Sequence, residues 1–109
     1  MNFNDYQKVA KTTAIYPKSE HALWYPALGL AGEAGEVADK VKKVMRDHGG
    51  ILTEEARKEL VKELGDVLWY MAMLALEMDV ELDEVAEKNI TKITSRKSRG
   101  VLRGEGDNR

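Results

Sequence analysis

Apolar residues return every three or four positions along most of this chain, with no sustained alternation, so the pattern predicts helices and no convincing strand. Residues 4–15 read as a short amphipathic helix with Tyr6, Val9, Ala10 and Ala14 on its apolar side. Asn4 is placed to cap it, with Gln7 at capping-box spacing, and Tyr16-Pro17 ends it. A polar link and an aromatic run, Trp24-Tyr25, lead to Pro26, which suits the first turn of a second helix. That helix should run to about Asp47 and stop at Gly49-Gly50. Thr53 caps a third helix, with Glu54 and Glu55 at the positive end of its dipole, reaching about Met78. A fourth, over roughly 82–98, carries Leu82, Val85, Ala86, Ile90 and Ile93. The expected fold is all-α, a four-helix bundle with two long central helices. One domain covers residues 1–99, and the glycine-rich, charged residues 100–109 form an irregular tail, read as a disordered terminus in preference to a phosphate lid.

Within the two long helices one motif is written twice. Leu30-Ala-Gly-Glu33-Ala-Gly-Glu36-Val37 and Leu60-Val-Lys-Glu63-Leu-Gly-Asp66-Val67 share the form L-x-x-E-x-G-[E/D]-V. On a wheel of 100° per residue, Ala34, Val37, Val41 and Val44 make an apolar stripe with Glu33 and Glu36 along its edge. Leu64, Val67, Met71 and Leu74 repeat that stripe, and Glu63 and Asp66 take the same offset. Either acidic pair alone reads as an ordinary solvated helix face. Together, in equal phase on successive helices, they predict four carboxylates converging at the rim of a packed seam. Such a cluster needs positive charge, and an oxygen-only donor set favours magnesium or manganese over iron or zinc.

Composition narrows the chemistry further. The chain has 109 residues, a net charge of −2 and no cysteine, so disulfides, thiolate metal sites and thiol catalysis are excluded. Only His21 and His48 are available for a histidine site. The charge balance argues against a nucleic-acid polymer as partner. With no apolar run near the roughly 20 residues that span a bilayer, no membrane association is expected and a cytoplasmic location follows. At this size, association with further copies would help the core.

Asn89, Lys92 and Arg96 share a face of the fourth helix and would suit polyphosphate oxygens, although a cationic last turn also explains Arg96. Tyr70 falls on the acidic side of the third helix, while Trp69 is expected to point away, exposed or toward another subunit. Tyr16, Trp24 and Tyr25 read either as core or as a ligand platform, and His21 as a polar contact or a loop residue. Lys40 and Lys43 are expected to pair with Glu36 and Asp39.

Glu33-Ala-Gly-Glu36, 26 intervening residues, then Glu63-Leu-Gly-Asp66 resembles the signature of the MazG-like all-α nucleoside triphosphate pyrophosphohydrolases. Asn89-x-x-Lys92-x-x-x-Arg96 looks like that family's phosphate-contacting helix, and the resemblance covers roughly residues 20–98. Gly32 stands where the family's motif begins with a glutamate, but the two ligand glutamates fall on Glu33 and Glu36. The short, single-copy chain is similar to the stand-alone bacterial and phage members. The resemblance implies a bundle completed by a homo-dimer or homo-tetramer, and magnesium-dependent cleavage of a (deoxy)nucleoside triphosphate to monophosphate and pyrophosphate. It implies metal ligation and catalysis by Glu33, Glu36, Glu63 and Asp66, and phosphate contacts from Asn89, Lys92 and Arg96. Tyr70, Tyr16, His21 and Trp24 are the corresponding candidates for base and sugar. A hydrolase of dUTP or a guanosine alarmone, and a non-enzymatic helical interaction module, are the competing readings.

Overall fold

Four helices form, α1 (Phe3–Lys11), α2 (Trp24–His48), α3 (Glu54–Glu77) and α4 (Leu82–Ser98), in a computed structural model that describes residues 1–18 and 22–109. No strand occurs among the described residues, so the all-α expectation holds. None of the helices is long and apolar enough to cross a membrane.

The two long helices pack along each other as a hairpin. α2 ends where Gly49 and Gly50 enter the left-handed region, φ 59° and 80°, and the Gly50 amide turns back to the Val44 carbonyl. Three residues later the Thr53 hydroxyl accepts the Ala56 amide at 3.1 Å and starts α3, as the sequence predicts. The seam is thinner than the wheel suggests. Val37, Val44, Val67 and Leu74 are half-buried, but Ala34, Val41, Leu64 and Met71 stay exposed.

The N-terminal helix differs from expectation in a way that explains the rest of the fold. Asn2, not Asn4, caps α1, its Oδ1 accepting the Asp5 amide at 2.7 Å. Asn4 and Gln7 cap α4 instead. Asn4 Oδ1 accepts the Asp83 amide at 2.9 Å, and Gln7 Oε1 accepts the Leu82 amide at 3.1 Å. The Gln7 amide group also donates to the Ala72 and Val80 carbonyls, at 3.2 and 3.1 Å. Leu82 is thus satisfied although Glu81 provides no side-chain cap. One buried glutamine therefore ties α1, the end of α3 and the start of α4. α1 stops at Lys11, not residue 15, because the Thr12 and Thr13 hydroxyls donate back to the Val9 and Ala10 carbonyls.

Among the described residues the buried apolar core is small: Ala10, Tyr16, Ala72, Met73, Ala75 and Leu82 near this junction, with Pro26 buried at the start of α2. α4 touches α1 and α3 but makes no contact with α2 among the described residues. The radius of gyration is 16.8 Å, against roughly 13 Å for a compact chain of this length. The accessible surface is 8044 Å², against roughly 6,100 Å² expected from the mass. The excess lies over apolar side chains on all three longer helices, including Leu28, Met45, Val61, Leu64 and Ile90.

Candidate functional site

At the middle of the α2–α3 hairpin the two acidic pairs face each other. Glu33, Glu63 and Asp66 each bring a carboxylate oxygen within 4.8 Å of the others. Glu36 lies outside this group, exposed one turn along α2. Glu33 is half-buried, and its carboxyl is pushed above its ordinary range by burial first, then by the charges of Asp66, Glu63 and Glu36. Helix periodicity puts Glu63 and Asp66 on one face of α3, and the packed seam holds that face against Glu33.

Little positive charge offsets it. Lys40 Nζ lies 3.4 Å from Glu63 across the hairpin, so Lys40 reaches the other helix and not the expected Glu36. Asp39 takes Lys42 at 2.6 Å and Lys43 at 2.8 Å, away from the cluster. Sequence reasoning set Lys40 beside an acid of its own helix and missed that it crosses to α3. Its spacing of seven from Glu33, two helical turns, would have placed it on the same face. One lysine against three or four carboxylates leaves a net negative cluster of hard oxygen donors. These residues fit a divalent cation, and Glu33, Glu63 and Asp66 are the ones that would hold it.

An aromatic cluster adjoins the acids. Tyr16 and Tyr25 stack at 4.8 Å, and Trp69 stands edge-on to Tyr16 at 6.1 Å and to Tyr70 at 5.0 Å. Trp24 meets Tyr25 edge-on at 5.5 Å. Trp69 is therefore part of the packing, with its indole N–H donated to Thr13 Oγ1 at 2.9 Å, and does not point away as the wheel implies. Tyr16 is buried, and its hydroxyl donates to Glu77, which also pairs with Lys18 at 3.3 Å. Tyr70 stands where the cluster meets the acids; burial, then Tyr25, Glu33 and Asp66, keep its phenol protonated above the ordinary range. The Tyr6 phenol of α1 is raised likewise, by burial first and then by the charge of Asp66. His21 lies outside the described residues.

Tyr70 reaches this place because α2 has no side chain at Gly29. A Cβ at residue 29 would overlap the Tyr70 ring. Gly29→Ala should destabilise the protein by about 1–3 kcal/mol, even though alanine is the better helix former by up to about 1 kcal/mol. The urea midpoint checks this, with Gly32→Ala as the control, since a Cβ there meets nothing within 4 Å. A gain in stability at residue 29 would mean that the ring swings aside freely.

The cations of α4 sit elsewhere. Lys92 and Arg96 both contact Asp107 of the tail, and Asn89 lines an apolar cleft of about 330 Å³ with Phe3, Leu68 and Met71.

The MazG nucleotide pyrophosphohydrolase domain profile matches residues 26–101, a stretch that contains both acidic pairs and α4. The chain belongs to the MazG nucleotide pyrophosphohydrolase family. A relative from Mycobacterium phage L5, the Gene 37 protein, is 51% identical over 114 residues, covering both chains in full. No solved structure gives a significant match. Membership of the MazG family points to pyrophosphohydrolysis of a nucleotide as the general activity.

Proposed function

We propose that this MazG-family chain hydrolyses a nucleoside triphosphate to the monophosphate and pyrophosphate, using magnesium held by Glu33, Glu63 and Asp66, with Glu36 one turn along α2 completing the set of four. The observation that carries the reading is the under-neutralised gathering of acids from two helices at one point of the seam. Manganese is the natural substitute, since both ions prefer oxygen donors. Such an ion neutralises triphosphate charge and lowers the pKa of a water. The acids do the rest: Glu33, Glu63 and Asp66 fix the binding point, and Glu36 or Glu63 orients the attacking water and takes its proton. Lys92 and Arg96 bind the phosphates and stabilise charge developing on the departing pyrophosphate, with Asn89 beside them. Tyr70 contacts base or sugar from the acidic side, and Tyr16, Trp24 and His21 are the further candidates.

Among the described residues α4 makes no contact with α2, and Lys92 and Arg96 pair with the tail and not with the acids; in this reading they serve the acids of a second copy. The working unit is thus a homo-dimer or homo-tetramer. Support comes from roughly 1,900 Å² of surface beyond that of a compact monomer, which is the scale of an obligate homodimer interface. The reaction takes place in the cytoplasm on free nucleotides.

The test is pyrophosphate release from a panel of ribo-, deoxy- and modified nucleoside triphosphates, with dUTP and a guanosine alarmone included, each with and without magnesium. Metal-dependent release of pyrophosphate with the monophosphate is the expected result, and the ranking identifies base and sugar. Release independent of metal would sink the carboxylate site; silence from folded protein across the panel would favour an interaction module.

A further inference from the structure

Residues 100–109 form no helix or strand, yet they fold back on α4 through a defined set of contacts. Gly100, Gly104 and Gly106 adopt positive φ, which lets the segment reverse direction within a few residues. Arg109 then locks the loop from inside: its Nε donates to the Val101 carbonyl at 3.0 Å, Nη1 to Gly106 at 2.7 Å and Nη2 to Leu102 at 2.8 Å. Arg99 holds the Arg109 carbonyl at 2.9 Å. This loop delivers Asp107 to Lys92 and Arg96. One carboxylate oxygen accepts from Lys92 Nζ at 3.0 Å and from Arg96 Nη2 at 3.1 Å, and the Asp107 carbonyl also accepts from Arg96 Nη2.

We propose that Asp107 is a built-in competitor for the phosphate site: the tail clasps Lys92 and Arg96 with a carboxylate, and a polyphosphate must displace it to bind. The inference rests on the phosphate role of Lys92 and Arg96 proposed above. Three observations support displacement over a permanent structural pairing. Asp107 is largely exposed, at 76% of its side chain, so water screens its pairings and they hold weakly. Arg96, by contrast, is buried, and its Nε has no hydrogen-bond partner among the described residues, so the carboxylate leaves part of the guanidinium unsatisfied. A triphosphate offers more oxygens and more charge than one aspartate, and takes both nitrogens of the fork together with Lys92. The clasp therefore keeps a buried arginine paired when no nucleotide is present and sets a threshold affinity that weak monoanions fail to cross.

The test uses inorganic pyrophosphate, titrated calorimetrically into the full chain with chelator present, so that the acids bind no metal and do not recruit the probe. Asp107→Asn removes the charge without changing shape, and Arg109→Ala loosens the loop without touching either cation. Both should bind pyrophosphate about three- to tenfold more tightly than the unaltered chain, because the fraction of unclasped sites rises. Both should also lower KM for the triphosphate by a similar factor. Lys92→Ala should weaken both, with Lys58→Ala as a control on the same net charge. If Lys92→Ala weakens binding while Asp107→Asn and Arg109→Ala leave affinity and KM unchanged, the clasp is wrong and the phosphate site stands. Should Lys92→Ala bind pyrophosphate as the unaltered chain does, the phosphate role fails and the clasp with it.

Discussion

Asp66→Asn should reduce metal-dependent turnover on the order of 100-fold or more, while leaving the metal-free protein as stable as before or slightly more so. The two effects have one origin. Asp66 is exposed and makes no ion pair among the described residues, so its removal breaks no bond that holds the fold. It stands within 4.8 Å of Glu33 and Glu63 oxygens, and its charge helps push the Glu33 carboxyl upward. Asparagine relieves that repulsion but removes one of the anionic oxygens a divalent cation needs. Pyrophosphate release and magnesium titration read the loss, and a urea melt in chelator reads the stability. Turnover within tenfold of the unaltered chain would show that the acids gathered at the seam are not the metal site.

The largest stability effect should come from Gln7→Leu. Leucine fills the buried space but leaves the Val80 carbonyl and the Leu82 amide without their side-chain partner, while the Ala72 carbonyl keeps its place in α3. Buried polar groups stripped of a partner cost about 1–3 kcal/mol each, so a loss of about 2–4 kcal/mol is expected. That is a large share of the stability of a domain with so small a buried apolar core among its described residues. Thermal unfolding followed by circular dichroism checks it. A shift as small as that of an exposed control on the same helix such as Lys8→Ala would mean that water replaces Gln7 at the α3–α4 turn.

Gln7 also shows where sequence reading stops. Helix existence, order and most boundaries are legible, because Thr53, Gly49 and the 3.6-residue period act within a turn or two of themselves. α4 was legible to its last residue. Gln7 and Asn4 have the right chemistry for caps, but their targets lie 75 and 79 residues away, and no local spacing reports that. Trp69 defeated the wheel for a similar reason. Its partner, Thr13, belongs to the turn after α1, which the helical wheel of α3 does not contain. At the site, the mirrored spacing brought out both acidic pairs, since phase against a seam is a sequence property. That Lys40 crosses the hairpin, that Glu36 stands apart from the other three, and that Tyr70 depends on a missing side chain at residue 29 all follow from how closely α2 and α3 approach.

The placement of the aromatic residues has an optical consequence. The chain has two tryptophans and four tyrosines, and all but Tyr6 belong to the one cluster that ends at Tyr70 beside Glu33. α4 and the far half of the hairpin contain no aromatic residue at all. Intrinsic fluorescence is therefore a local gauge, blind to half of the helical content and sensitive to charge arriving at the acids. During unfolding, emission and far-ultraviolet dichroism coincide only if the whole chain melts as one unit. An emission change that precedes the loss of ellipticity would mark the junction of α1, α2 and α3 as the first part to open.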